Sequence, residues 1–273
     1  MTSTHSKRAD MPTDFKTLRV VEEGPVLQVQ LNRSESGNAL SGEVLTDLLE
    51  VLNRLQEDTT IRVMVLSGAG DDFCQGGDRS EFPALLAEDP SGGSLRALAA
   101  KAERVCAALS RLEVVTIARL QGDVIGAGLG LAIYCDLRVG ADTCRFRMPE
   151  LGLGLPPAWG GVLDRLPTEV GQSWVRYLLL TSEPFGADRA RELSVLHNVV
   201  PRDGLDAAVS RLARTMARRD PAAIRITKRM LSARANAAQL SIGGYFDGEL
   251  LTSAVTRAVN ARSSRGQTSS DPS

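Results

Sequence analysis

Glu150 stands in the run Met148-Pro149-Glu150-Leu151-Gly152-Leu153, a single carboxylate among apolar neighbours. Apolar surroundings disfavour the charged form and raise a carboxyl pKa toward the working range of a general acid or base. Upstream lie two glycine-bearing turns that can offer backbone N–H groups to a ligand oxygen. The first, DDFCQGGDRSEF from Asp71 to Phe82, follows the apolar run VMVLSG. That is the C-terminal side of a strand, where ligands bind in α/β sheets, and Gly76-Gly77 permit a sharp turn with an N–H directed outward. The second, IGAGLGLAIYCD from Ile125 to Asp136, places Gly126, Ala127 and Gly128 ahead of an apolar helical run. The first N–H groups of a helix lack internal acceptors and are open to a ligand. Two such donors aimed at one oxygen form an oxyanion hole, which stabilises the charge of an enolate or tetrahedral intermediate. On local sequence alone, the first stretch reads as a plain strand-to-helix turn at least as readily, and close helix packing through small residues is the alternative for the second. A structural anion is the alternative at Glu150.

The dinucleotide-binding alternative fails on spacing. GAGLG contains G-x-G, but the third glycine is misplaced and no acidic residue closes a second strand about 20 residues on. A net charge of -1 over 273 residues excludes a strongly basic nucleic-acid binder. The four cysteines, Cys74, Cys106, Cys135 and Cys144, show no paired spacing and meet no histidine at ligand distance, which predicts reduced thiols and no metal site. The N-terminal MTSTHSKRADMPTDF has no apolar core for a signal peptide, and no segment is long enough to span a bilayer. A cytoplasmic protein with no membrane partner is the expectation.

The elements that must position these residues alternate between periods. LRVVEEGPVLQVQLNR reads as a hairpin around Glu22–Gly24. Ser41 is an N-cap, followed by a helix with Val44, Leu45, Leu48, Leu49, Leu52 and Leu55 on one face. IRVMVLSG reads as a buried strand, PALLAEDPSGGS as a mobile loop, LRALAAKAERVCAALSRL as a helix and VVTIARLQG as a strand. From about Pro167 the pattern is helical except for a short strand at HNVVP. Strands alternating with helices predict βαβ units and a mainly parallel sheet. The expected organisation is a tail at 1–14, an α/β core at 15–200, a helical region at 201–261 and a second tail at 262–273.

Four segments, taken together and in order, carry a resemblance. They are LNRSESGNALSGEV, FCQGGDRSEF, GAGLGLAIYCDLRVGADTCRFRMPELGLGLPPAWGG and DPAAIRITKRML. Over roughly Phe15 to Leu231 the chain resembles the crotonase superfamily, the enoyl-CoA hydratase/isomerase family. The resemblance implies a spiral of ββα repeats with a helical C-terminal trimerisation region, assembling as a homotrimer or dimer of trimers. It implies a coenzyme A or acyl-carrier-protein thioester as substrate, with coenzyme A part of that substrate and no separate cofactor. Gly77 and Ala127 match the family's oxyanion donors, and Glu150 matches its second catalytic glutamate. Asn38, Ala39, Cys74, Gln75, Gly76 and Asp78 match segments along the coenzyme A path. Gly126 lies in the oxyanion turn and Trp159 near the acyl pocket or the core.

The chain also departs from that family. Gly130 stands where two-glutamate hydratases carry the first glutamate, and Ala158 stands where diene isomerases and some dehalogenases carry an aspartate. One carboxylate can move a proton from one carbon to another, the logic of the family's Δ3,Δ2-enoyl isomerases. Hydration also needs a positioned water, although hydroxycinnamoyl-CoA hydratase-lyases are similar to this chain in keeping only the second glutamate. The expected activity is therefore enoyl-thioester isomerisation or hydration. Decarboxylation or C–C cleavage on the same oxyanion hole and non-catalytic acyl-CoA binding are the alternatives. Asp123 is a candidate second carboxylate or a turn residue, and Asp78 is expected to cap a turn. His197 is expected to be structural, and Lys228 and Arg229 to face phosphates or solvent. Tyr245 and Phe246 fall where the family's C-terminal helices cover a neighbouring subunit's pocket.

Overall fold

The computed structural model describes residues 15–238 and 243–267, with the backbone alone for 233–238, 243–246 and 261–267. The chain opens with the expected hairpin, β1 (Leu18–Glu23) and β2 (Val26–Leu31), turned at Gly24 with φ +61°. Helix α1 (Gly42–Glu57) follows, and Ser41 Oγ accepts the Val44 N–H at 3.2 Å. Its buried face includes Val51, whereas Leu49 is only half-buried. Strand β3 (Val63–Gly68) is buried at every residue, as an interior parallel strand must be.

The stretch expected as a mobile loop is instead mostly helical. Phe82–Glu88 form α2, with proline in the first turn, where its missing N–H is no loss. Phe82, Leu85 and Leu86 give it an apolar face to bury, and the Asp89–Gly92 turn leads directly into α3 (Gly93–Arg111). Next come β4 (Val115–Leu120), β5 (Asp123–Ile125), α4 (Ala127–Ile133), β6 (Leu137–Ala141) and β7 (Arg145–Arg147). The remainder is α5 (Val162–Val170), α6 (Gln172–Thr181), β8 (Phe185–Gly186), α7 (Ala187–Glu192), β9 (Asn198–Val200), α8 (Leu205–Ala217), α9 (Pro221–Ala238) and α10 (Gly243–Gln267). Thus α10 carries the helical region beyond residue 261.

The main sheet runs β1-β2-β3-β4-β6-β9, parallel throughout except for the antiparallel β1. A smaller sheet, β5-β7-β8, pairs Ile125 with Arg147 and so draws the second glycine turn toward Glu150. Helix α8 covers β4 and β6, while α10 lies along α3. A second apolar cluster, including Leu86, Leu95, Ala99, Ala158 and Leu251, joins α2, α3 and α10. No helix among the described residues is long and apolar enough to cross a membrane.

Candidate active site

Both glycine turns and Glu150 open onto one cavity of about 290 Å³. Gly77 makes a parallel bridge with Leu40. In that bridge Leu40 N–H donates to the Gly76 carbonyl at 2.8 Å, and Asp78 N–H donates to the Leu40 carbonyl at 3.0 Å. The pattern leaves the Gly77 N–H on the side away from Leu40, and Gly77 lines the cavity. Ala127 is the first residue of α4, so its N–H has no carbonyl one turn back, and Gly126 offers no side-chain acceptor. The two amides are brought together by a second bridge, in which Cys74 N–H donates to Asp123 O at 3.1 Å and Ile125 N–H donates to Cys74 O at 2.9 Å. Glycine is required there for space as well as conformation. A Cβ on Gly76, where φ is +105°, would lie 3.1 Å from Ile125 O and 3.8 Å from Ala127 N. A Cβ on Gly128 would lie 2.4 Å from the Cys74 carbonyl.

Glu150 lies against this turn. A Cβ on Gly126, where φ is +52°, would sit 2.6 Å from Glu150 Oε1. The other oxygen, Oε2, is buried and receives no hydrogen bond among the described residues. The side chain makes no capping hydrogen bond to the turn that follows it. Burial pushes its carboxyl above the ordinary glutamate range. Among the described residues it is the one carboxylate in the cavity lining. Beside it, a Cβ on Gly130 would lie 3.0 Å from Trp159 Cε3 and 3.3 Å from Cζ3. The indole therefore fills the space that a side chain at 130 would enter, and it both walls the cavity and packs against α4.

The remaining expected site residues divide. Gln75, Gly76, Gly126 and Trp159 line the cavity. Asn38, Ala39, Cys74 and Asp78 do not; they hold the framework. The Asn38 carboxamide donates to Ala69 O at 2.8 Å and Asp72 O at 3.0 Å and accepts the Arg33 N–H at 3.0 Å. Ala39 O accepts from Arg33 Nη1 at 2.8 Å. Cys74 is fully buried, its thiol pushed up to about 12 by burial. Asp78 caps the turn at Ser80 and pairs with Arg33; burial opposes its charge, but these partners hold its carboxyl below the ordinary range. Asp123 is committed to Arg145 at 2.8 Å and lies outside the lining, so it supplies no second carboxylate.

Distant candidates are structural. His197 Nδ1 accepts the Arg138 N–H at 3.0 Å. Lys228 donates to Asp136 at 2.5 Å and Val114 O at 2.6 Å, and Arg229 pairs with Glu113. Lys228 ties α9 to the core, whereas Arg229 pairs with Glu113 on a solvent-exposed face. Tyr245 and Phe246 lie outside the described side chains. Sequence reasoning missed Arg79, Phe82, Leu98 and Leu251 in the lining. Leu98 follows helical periodicity, which marks burial without naming the surface buried against. Leu251 shows α10 reaching the cavity of its own chain. Among the described residues no cluster of three His, Cys, Asp or Glu could hold a metal.

Two glycine-bearing turns and one raised-pKa carboxylate thus share a cavity beside a mainly parallel sheet. Residues 22–265 match the model of the enoyl-CoA hydratase/isomerase family. The chain belongs to that family, within the crotonase superfamily. A short-chain-enoyl-CoA hydratase from Clostridium acetobutylicum is 30% identical over 213 residues, covering 77% of this chain and 79% of the relative. An enoyl-CoA hydratase/isomerase structure from Mycobacterium paratuberculosis superposes with a TM-score of 0.79 at 25% identity, covering 90% of this chain and 95% of the other. A Thermobifida fusca YX structure described as an enoyl-CoA hydratase, in complex with acetoacetyl-CoA, gives a TM-score of 0.73 at 30% identity, covering 82% and 93%.

Proposed function

We propose that this protein catalyses 1,3-proton transfer in an enoyl-CoA thioester, shifting a double bond through an enolate. Gly77 and Ala127 N–H donate to the thioester oxygen as negative charge develops there. Glu150 removes a proton from one carbon and returns it to another. The observation that supports the reading is the pairing, among the described residues, of one half-buried carboxylate with two backbone amides on one cavity. Glu150 Oε2 is free to take a proton, and its raised pKa matches base strength to the task. Trp159 packed over Gly130 leaves the site without a second acid beside it, which favours proton relocation over water addition. No group beyond the thioester itself is needed for this chemistry.

The test is NMR in D2O with a 2-enoyl-CoA and a 3-enoyl-CoA, using wild type and Glu150→Gln. A shifted double bond with deuterium incorporation, lost in the variant, is the expected result. A 3-hydroxyacyl product would replace isomerisation by hydration. No change in either substrate would sink both and bring decarboxylation forward.

A further inference from the structure

The cavity holds charge that proton transfer does not use. Arg79 and Arg147 both line it, against the single carboxylate of Glu150 among the described residues. Arg147 is partly engaged, its Nε–H donating to the Ser182 carbonyl at 2.8 Å. Arg79 is exposed at the cavity, and among the described residues no hydrogen bond or ion pair holds its guanidinium. The carboxylates next to it in sequence serve other partners. Asp78 accepts from Arg33 at 3.1 Å and from Ser80 Oγ at 2.5 Å, and Glu81 accepts the Gly42 N–H at 2.9 Å. A planar, permanently charged donor is thus left facing the substrate space with nothing to neutralise it.

Its position says what it can meet. Arg79 follows Gly77 by two residues, so the chain between them spans at most about 7 Å. Three residues further on, Phe82 packs on the apolar cluster that contains Ala99 and Leu251. The Arg79 backbone is therefore tied close to the Gly77 amide, and its side chain lines the same cavity as the apolar wall that suits an acyl chain. The long pantetheine arm carries the coenzyme A phosphates away from the thioester. We infer that Arg79 selects an acyl chain bearing a second anion, a carboxylate remote from the thioester, by a charge-assisted and bidentate contact. This deepens the proposed function and rests on its placement of the thioester oxygen at Gly77 and Ala127.

The test measures binding of unreactive thioesters, so that it does not depend on turnover. Adipoyl and its terminal methyl ester are each carried on coenzyme A and on N-acetylcysteamine, which has no phosphates, and titrated calorimetrically. Wild type is expected to bind the free acid roughly tenfold or more tightly than the ester on both carriers. Arg79→Gln should abolish that ratio, and Arg79→Glu should shift preference toward an ω-amino chain. Equal binding of acid and ester by wild type overturns the inference and leaves the proposed function standing. So does an Arg79→Gln loss that is equal for acid and ester on coenzyme A and vanishes on N-acetylcysteamine, since the cation would then serve the phosphates. If wild type binds none of the thioesters, the functional reading itself falls.

Discussion

At the scale of single residues, the site depends on where one carboxylate is held and how strongly it resists ionising. Burial raises the Glu150 pKa, and a base works only when ionised, so kcat/KM should climb with pH through a value above the ordinary glutamate range. Glu150→Gln should lower kcat by about 10²–10⁴-fold, the usual worth of a positioned general base. The same burial has an opposite consequence for stability. A folded-state pKa raised above the unfolded one means that folding becomes less favourable as pH rises through that window. Glu150→Gln should therefore melt at a higher temperature than wild type at neutral pH, with the gap closing under acidic conditions. A variant that melts lower at neutral pH would contradict a costly buried carboxylate. Gly126→Ala addresses geometry instead. Its Cβ would lie 2.6 Å from Glu150 Oε1 on a backbone with φ +52°. Displacing the carboxylate by about 1 Å should cost around 10²-fold in kcat, with a smaller change in thioester binding. Unchanged kcat would show that the carboxylate tolerates displacement.

At the scale of elements, the sequence disclosed what rests on rare residue types or long periodic runs. The glycine turns and Glu150 were legible because only glycine allows the close approaches at 76, 126 and 128, and because a carboxylate seldom sits in an apolar run. Helix α1 and strand β3 were legible from their periods. Helix α2 was not, since Pro83 and the Asp-Pro-Ser-Gly-Gly that follows read as loop signals while a proline in the first turn starts a helix equally well. The anchoring of β6 was also hidden. Arg138 is 1% exposed, donates to the Val195, Cys135 and Ser194 carbonyls, and pairs with Glu169 at 3.0 Å. No local pattern announces partners 57 and 31 positions away. Arg138→Met should strand these carbonyls and cost about 3–5 kcal/mol, read as a lowered urea midpoint. A loss under about 1 kcal/mol would mean that water replaces the guanidinium.

At the scale of the whole molecule, the C-terminal helix closes the site of its own chain. Leu251 of α10 lines the cavity. One turn earlier, buried Asp247 accepts the Gly161 N–H at 3.1 Å, two residues beyond Trp159. Burial pushes this carboxyl up to about 6; the Gly161 hydrogen bond works against the shift, and the negative charges of Asp164 and Glu103 add to it. An unfolded aspartate titrates near about 3.9, so the native state binds the extra proton between roughly pH 4 and pH 6. The stability that this group contributes is then fully present below that window and is lost as pH rises through it. Asp247→Asn keeps an acceptor for Gly161 and removes the titration. Its melting temperature should match that of wild type near pH 4 and exceed it at pH 8. Because α10 supplies part of the cavity wall, thioester binding by the variant should lose the part of its pH dependence that Asp247 carries, leaving that of Glu150. A difference in melting temperature that stays constant across the range would mean that Asp247 does not titrate over it in the folded protein.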